Sequence, residues 1–334
     1  MRGGGGMIHN ILSLFPGVPL FFLTSGFLIT DSFLNSSNIK EYFIKRGFRI
    51  YPALFICIVI LEISMYMGGN INNNLSFLQY LIYFVTYVFT ASSGISTTLI
   101  GVDGLDIYNF KGFFDVYPSG VLWTLTVELS FYIILPLILV FKNTIVRNIT
   151  LIALFIVSIL ISNYASEELY ASSGLYKLLN ISFLPYIWIF IIGIASRLYW
   201  KNIYNILKNR GALFLVIYLL FSYISYSYFS IDLGIGYKYS LDFTAVIKVV
   251  LLSISILSLA FSYTDIKFNL TNDLSYATYL YHMLFVQVFM SLGLIGEWKY
   301  FFIIVGFTLF IAYLSWNYIE APILKLKGRF NNVK

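Results

Sequence analysis

Apolar residues in this chain run in long blocks, and the blocks end at charged residues or at clusters rich in Asn and Gly. The breaks leave nine stretches near spanning length, at residues 11–30, 51–68, 121–141, 148–163, 179–199, 211–230, 242–263, 274–296 and 300–320. A helix needs about 20 apolar residues to cross a bilayer. Hydrocarbon offers no partner to the backbone, so each stretch reads as a helix that satisfies its own amides. A tenth apolar stretch, residues 77–90, is nearer the length of an interfacial or re-entrant piece. The expected fold is therefore all-α, a polytopic transmembrane bundle of about nine spans with one short apolar segment. No linker or internal repeat divides it. A single membrane domain is expected over residues 11–324, after an irregular start at 1–10 and before a basic tail at 325–334.

Composition fits a chain whose main solvent is lipid. Of the 334 residues 59% are hydrophobic, 19% aromatic and only 11% charged, against about 25% charged in soluble domains. The net charge of +6 reads as a topology signal rather than a nucleic-acid footprint, since Lys and Arg concentrate in cytoplasmic loops. Lys40, Lys45, Arg46 and Arg49 place one loop inside; Lys142 with Arg147, the group from Arg197 to Arg210, and the tail from Lys325 to Lys334 mark the others. These agree only if residues 77–90 do not cross, which makes Gly69 to Gly120 one outer segment. The chain then begins outside and ends inside, and a first helix is expected to be missing. The opening MRGGGG carries no signal-peptide core. The single cysteine, Cys57, leaves no internal disulfide and no Cys-rich metal site. Neither a metal nor a permanently bound cofactor is expected.

An ionisable group inside a span costs about 2.5–3.5 kcal/mol at the helix centre, so each requires a reason. Four places stand out. In LWTLTVELSFYIILP, residues 122–136, Glu128 shares a helical stripe with Thr124, Phe131 and Leu135. A carboxyl placed there suits a proton donor or acceptor, or a structural bond to a neighbouring helix. In LSYATYLYH, residues 274–282, Ser275, Tyr279 and His282 line one face. Imidazole there suits a general base, or equally an interhelical hydrogen-bond partner. In FIKRGFRIYP, residues 43–52, Arg46 and Arg49 sit three apart in a basic loop before Pro52. Such a pair suits a phosphate-bearing donor, although basic inner loops also serve topology alone. In WNYIEAP, residues 316–322, Glu320 ends the last span, where Pro322 is expected to stop the helix and the carboxylate to meet a cytoplasmic Arg. Glu62 and Lys248 are weaker candidates that can snorkel to an interface. No nucleophile elbow, zinc helix, Walker loop or dinucleotide fingerprint is present.

Together these segments resemble the acyltransferase-3 family of membrane O-acyltransferases, which modify bacterial cell-surface carbohydrates. The resemblance is carried by PGVPLFFLTSGFLI at residues 16–29, KRGFRIYP at 45–52, WTLTVELSFY at 123–132, SYATYLYH at 275–282 and the terminal YIEAP at 318–322. Five such pieces in order make the signal specific. It implies about ten helices in the bacterial cytoplasmic membrane. It also implies transfer of an acyl group, usually acetyl, from cytoplasmic coenzyme A to a sugar hydroxyl of a surface or lipid-linked polysaccharide. The resemblance would give Arg46 and Arg49 to the coenzyme's phosphates and make Trp123, Glu128 and His282 site residues. The family's principal histidine lies in its first helix with a basic residue eleven positions ahead. Here His9 stands eight residues before Gly17. It is either that histidine in a shortened loop or a loop residue after an absent helix, and the second reading would leave an inactive scaffold. A transporter or flippase for a lipid-linked sugar is the rival class, since buried charges and a Pro-broken first span also suit a substrate path.

Overall fold

A computed structural model describes residues 13–72, 75–99, 101, 107–164, 182–229, 243–262, 272–294 and 296–330. Its elements are helices: α1 (Gly17–Leu34), α2 (Ile39–Met67), α3 (Phe77–Thr90), α4 (Ser93–Leu99), α5 (Trp123–Leu139), α6 (Thr144–Tyr164), α7 (Ile187–Leu198), α8 (Trp200–Leu207), α9 (Gly211–Phe229), α10 (Phe243–Ala260), α11 (Ser275–Ser291), α12 (Trp298–Ser315) and α13 (Ala321–Phe330). A π-helical turn, Trp316–Glu320, joins the last two. Among the described residues extended pairing is limited to one antiparallel bridge, Ile71 with Tyr108.

Each stretch read as a span contains a helix, and among the described residues six helices are long and apolar enough to cross by length and composition. They are α1, α2, α6, α9 up to Tyr228, α10, and the run Trp298–Lys325. The protein is thus a multi-pass membrane protein. The helices α5, α7 and α11 have 17, 12 and 17 residues. At about 1.5 Å per residue they reach about 18–25 Å, less than a hydrocarbon core of about 30 Å.

Two further sequence readings change. The basic stretch 43–52 is helical, not a loop. Asn38 caps α2 by accepting the Glu41 amide, and Lys45 pairs with Glu41 at 2.7 Å one turn on, so the helix starts well before its apolar part. Pro322 does not end the chain's last helix. It stands in the first turn of α13, where a missing N–H costs little.

Contacts divide the chain into two compact units, one formed by the described residues of Met1–Ser36 and Ser130–Phe268, the other by those of Ser37–Leu129 and Asn269–Lys334. In the first, α1 and α7 meet backbone to backbone. A Cβ on Gly26 would lie 2.3 Å from the Phe190 carbonyl oxygen, and one on Gly193 would lie 2.3 Å from that of Leu23. Small residues allow this approach, which lipid-embedded helices use in place of a hydrophobic driving force. Around the contact Phe131 stacks on Phe190 at 3.9 Å between centroids, and Phe22 packs edge-on to Phe131. Arg197 closes one end on Asp31 at 2.6 Å. Gly193→Val should destabilise the protein by about 1–3 kcal/mol through overpacking, because rigid backbone rather than a flexible side chain is in the way. Thermal unfolding in detergent checks this; a melting temperature equal to wild type would refute it.

In the second unit α2 and α11 run against each other. Cys57 donates to the Leu280 carbonyl at 3.6 Å, and the Tyr276 hydroxyl donates to the Ile50 carbonyl at 3.0 Å.

Candidate active site

The sequence-derived site residues that lie among the described ones, Arg46, Arg49, Trp123, Glu128, Ser275, Tyr279, His282 and Glu320, all belong to the second unit. His9 lies outside the described residues.

On α11 the local helix sets the imidazole. His282 Nδ1 lies 2.8 Å from the Tyr279 carbonyl oxygen and 3.2 Å from that of Thr278. A carbonyl only accepts, so Nδ1 carries the proton and donates it. In the tautomer that this contact favours, the lone pair is on Nε2. The ring of Tyr279 stands beside it, 6.0 Å between centroids. That tyrosine is itself fixed: its hydroxyl donates to the Val121 carbonyl at 2.7 Å and pairs with the Thr124 hydroxyl at the start of α5.

Glu128 lies one turn beyond Thr124 on α5 and is 8% exposed. Its stripe with Thr124, Phe131 and Leu135 is buried throughout. The carboxyl interacts electrostatically with Tyr279 and with Tyr42 on α2, and Tyr42 also senses Arg46, one turn further along. Tyr42 thus lies in the field of both Glu128 and Arg46, and Tyr279 in that of Glu128. Trp123 opens α5 and is half-buried.

Arg49 forms a second centre. Its Nη2 meets Asp273 at 2.6 Å, its Nη1 lies 3.9 Å from Glu320, and its guanidinium sits 5.7 Å from the centroid of the Tyr276 ring. The expected Glu320–arginine pair is present, at long range. Glu320 itself is 2% exposed. The π turn brings it over Ser315, whose hydroxyl donates to Oε1 at 3.2 Å. Asp273 was not read from the sequence, although it directly precedes the Ser275 motif. Partial burial works against its charge, but the Ser275 hydroxyl and the Arg49 guanidinium hold its carboxyl below the usual aspartate value. Ser275 spends its hydroxyl on Asp273 at 2.6 Å and does not join His282.

Glu62 and Lys248 do not snorkel; they are 5% and 1% exposed. Four tyrosine hydroxyls point at Glu62. Among the described residues no group of three or more His, Cys, Asp or Glu is placed to hold a metal ion.

A family model described as "Acyltransferase domain" matches residues 4–317. Nodulation protein 10 of Rhizobium leguminosarum bv. viciae is 33% identical, covering 97% of this chain and 86% of its own length. An O-acetyl transferase of Shigella phage Sf6 is 26% identical over 92% of this chain and 84% of its own. The peptidoglycan O-acetyltransferase of Listeria monocytogenes serovar 1/2a is 25% identical over 93% of this chain, which spans 51% of that longer protein. No solved structure matches.

Proposed function

The chain belongs to the acyltransferase-3 family and is an acyltransferase, and on that premise we propose that it moves an acetyl group from acetyl-coenzyme A to a sugar hydroxyl of a surface or lipid-linked polysaccharide. The observation that carries the reading is the position of His282 Nδ1, 2.8 Å from the Tyr279 carbonyl oxygen, which favours a proton on Nδ1 and so supports Nε2 as the base, in the unit that also holds Glu128, Arg46 and Arg49.

In this reading Nε2 takes the proton of the acceptor hydroxyl as its oxygen attacks the thioester carbonyl. The tetrahedral intermediate collapses with cleavage of the C–S bond, and the coenzyme leaves as a thiolate that receives the proton from the imidazolium. Val121 and Thr124 hold Tyr279 beside the ring, and Glu128 acts electrostatically, favouring the imidazolium that forms. Arg46 and Arg49, on one face of α2, face the anionic coenzyme. Arg49 would exchange Asp273, whose side chain is 49% exposed, for a phosphate.

Mass spectrometry of the surface glycan with and without the gene separates this from the transport alternative. Loss of acetate from an otherwise normal amount of glycan is expected. An unchanged acetylation level with less exported glycan would overturn the reading.

A further inference from the structure

The second unit contains another polar centre that the proposed transfer leaves unused. Glu62, on α2, is met by tyrosines from two later segments. Tyr108 donates to its Oε1 at 2.6 Å, with Tyr83 and Tyr117 each at 3.4 Å. Tyr80 donates to Oε2 at 2.9 Å. The tyrosines are tied to each other through the Tyr83–Tyr108 hydroxyl pair and the Tyr87–Tyr117 pair, the latter at 2.7 Å. Asn70 fixes the chain that delivers Tyr108 and Tyr117. Its side chain donates to the Asn109 and Phe114 carbonyls at 2.7 Å each and accepts the Phe114 amide at 3.0 Å. A network satisfied on this scale is rigid.

The cage is not closed. Glu62 forms one wall of a cavity of about 420 Å³ lined also by Ile63, Tyr66, Ile71, Asn72 and Tyr80, inside the usual range of about 300–1,000 Å³ for small-molecule sites. We propose that this cavity binds a saccharide. A sugar ring has apolar C–H faces and a rim of hydroxyls. Here Tyr66 and Tyr80 supply aromatic faces, and Glu62 Oε2, which among the described residues accepts from Tyr80 alone while Oε1 accepts from three tyrosines, is the acceptor for a sugar hydroxyl. The tyrosine O–H groups hold the carboxyl in place as an acceptor, and a ligand O–H can add one more donor of the same kind. The site rests on the proposed function in taking the acceptor to be a sugar, and it gives the glycan a hold separate from His282.

The test is binding of the detergent-solubilised full chain to an array of bacterial surface oligosaccharides, with acetyl transfer from labelled acetyl-coenzyme A measured in parallel. Wild type should bind a subset of the array, and Glu62→Gln and Tyr66→Ala should each weaken that binding tenfold or more. Tyr66 is 72% exposed, so its variant keeps the fold even if Glu62→Gln does not. Equal binding by wild type and Tyr66→Ala would overturn the site. So would tetramethylammonium competing for it, or the absence of saccharide binding by a preparation that still transfers acetyl. Saccharide binding lost in Tyr66→Ala from a protein that transfers no acetyl would uphold the site and refute the proposed activity instead.

Discussion

His282→Ala should lower the turnover of acetyl transfer by about 10²–10⁴-fold, the usual contribution of a positioned acid–base group. KM for acetyl-coenzyme A should change little. The ring contributes little to the fold, because the Thr278 and Tyr279 carbonyls that it meets are already part of the α11 backbone. The substitution removes Nε2, the group that takes the acceptor's proton. Tyr279→Phe should fall between this variant and wild type, since it keeps the aromatic ring beside the imidazole and loses the tie to Val121 and Thr124. Steady-state kinetics in native membranes decide the matter; turnover within threefold of wild type in His282→Ala would remove the histidine from the chemistry.

Arg49→Ala should have two separable effects. It strands Glu320, which is 2% exposed, without its cation. Breaking a buried ion pair costs about 3–5 kcal/mol. Arg49 is about a quarter exposed and 3.9 Å away, so a loss of roughly 1–3 kcal/mol is the better expectation. It should also raise KM for acetyl-coenzyme A roughly 10–100-fold if the guanidinium holds a phosphate through charged hydrogen bonds. Adding Glu320→Gln to Arg49→Ala should restore much of the stability and none of the coenzyme affinity. Recovery of both together would make Arg49 structural only. Arg49→Lys keeps the charge but loses the planar fork, and its KM should lie closer to Arg49→Ala than to wild type.

Helices were legible in the sequence because their signal is local. Each apolar block holds one, and the short block at 77–90 is a 14-residue helix whose start is written in a Ser76–Gln79 capping box. Which helices are long enough to cross was less legible. Hydropathy does not register where a helix begins and ends inside an apolar block: α7 covers only Ile187–Leu198 of the block 179–199, and α11 only Ser275–Ser291 of the block 274–296. The basic stretch after Ile39 reads as a loop by charge alone, whereas the Asn38 cap and the Glu41–Lys45 pair, both visible in sequence, mark a helix.

The candidate site was legible residue by residue, because each polar group inside an apolar block is conspicuous. What the sequence does not carry is who meets whom. Ser275 shares a helix face with His282 in the simple pattern but turns its hydroxyl to Asp273. Glu62 looks like a carboxyl within reach of an interface until Tyr80, Tyr83, Tyr108 and Tyr117 are brought to it from 18 to 55 residues away. Such contacts depend on how the chain returns on itself, and no local period encodes that.

The most direct measurement is transfer of labelled acetyl from acetyl-coenzyme A to glycan in membranes containing the full chain. Label should appear on the glycan with wild type and fall to the vector background with His282→Ala. Label transferred equally by wild type and His282→Ala, or none transferred by a folded wild-type protein, would contradict the assignment of this centre as an acetyl-transfer site.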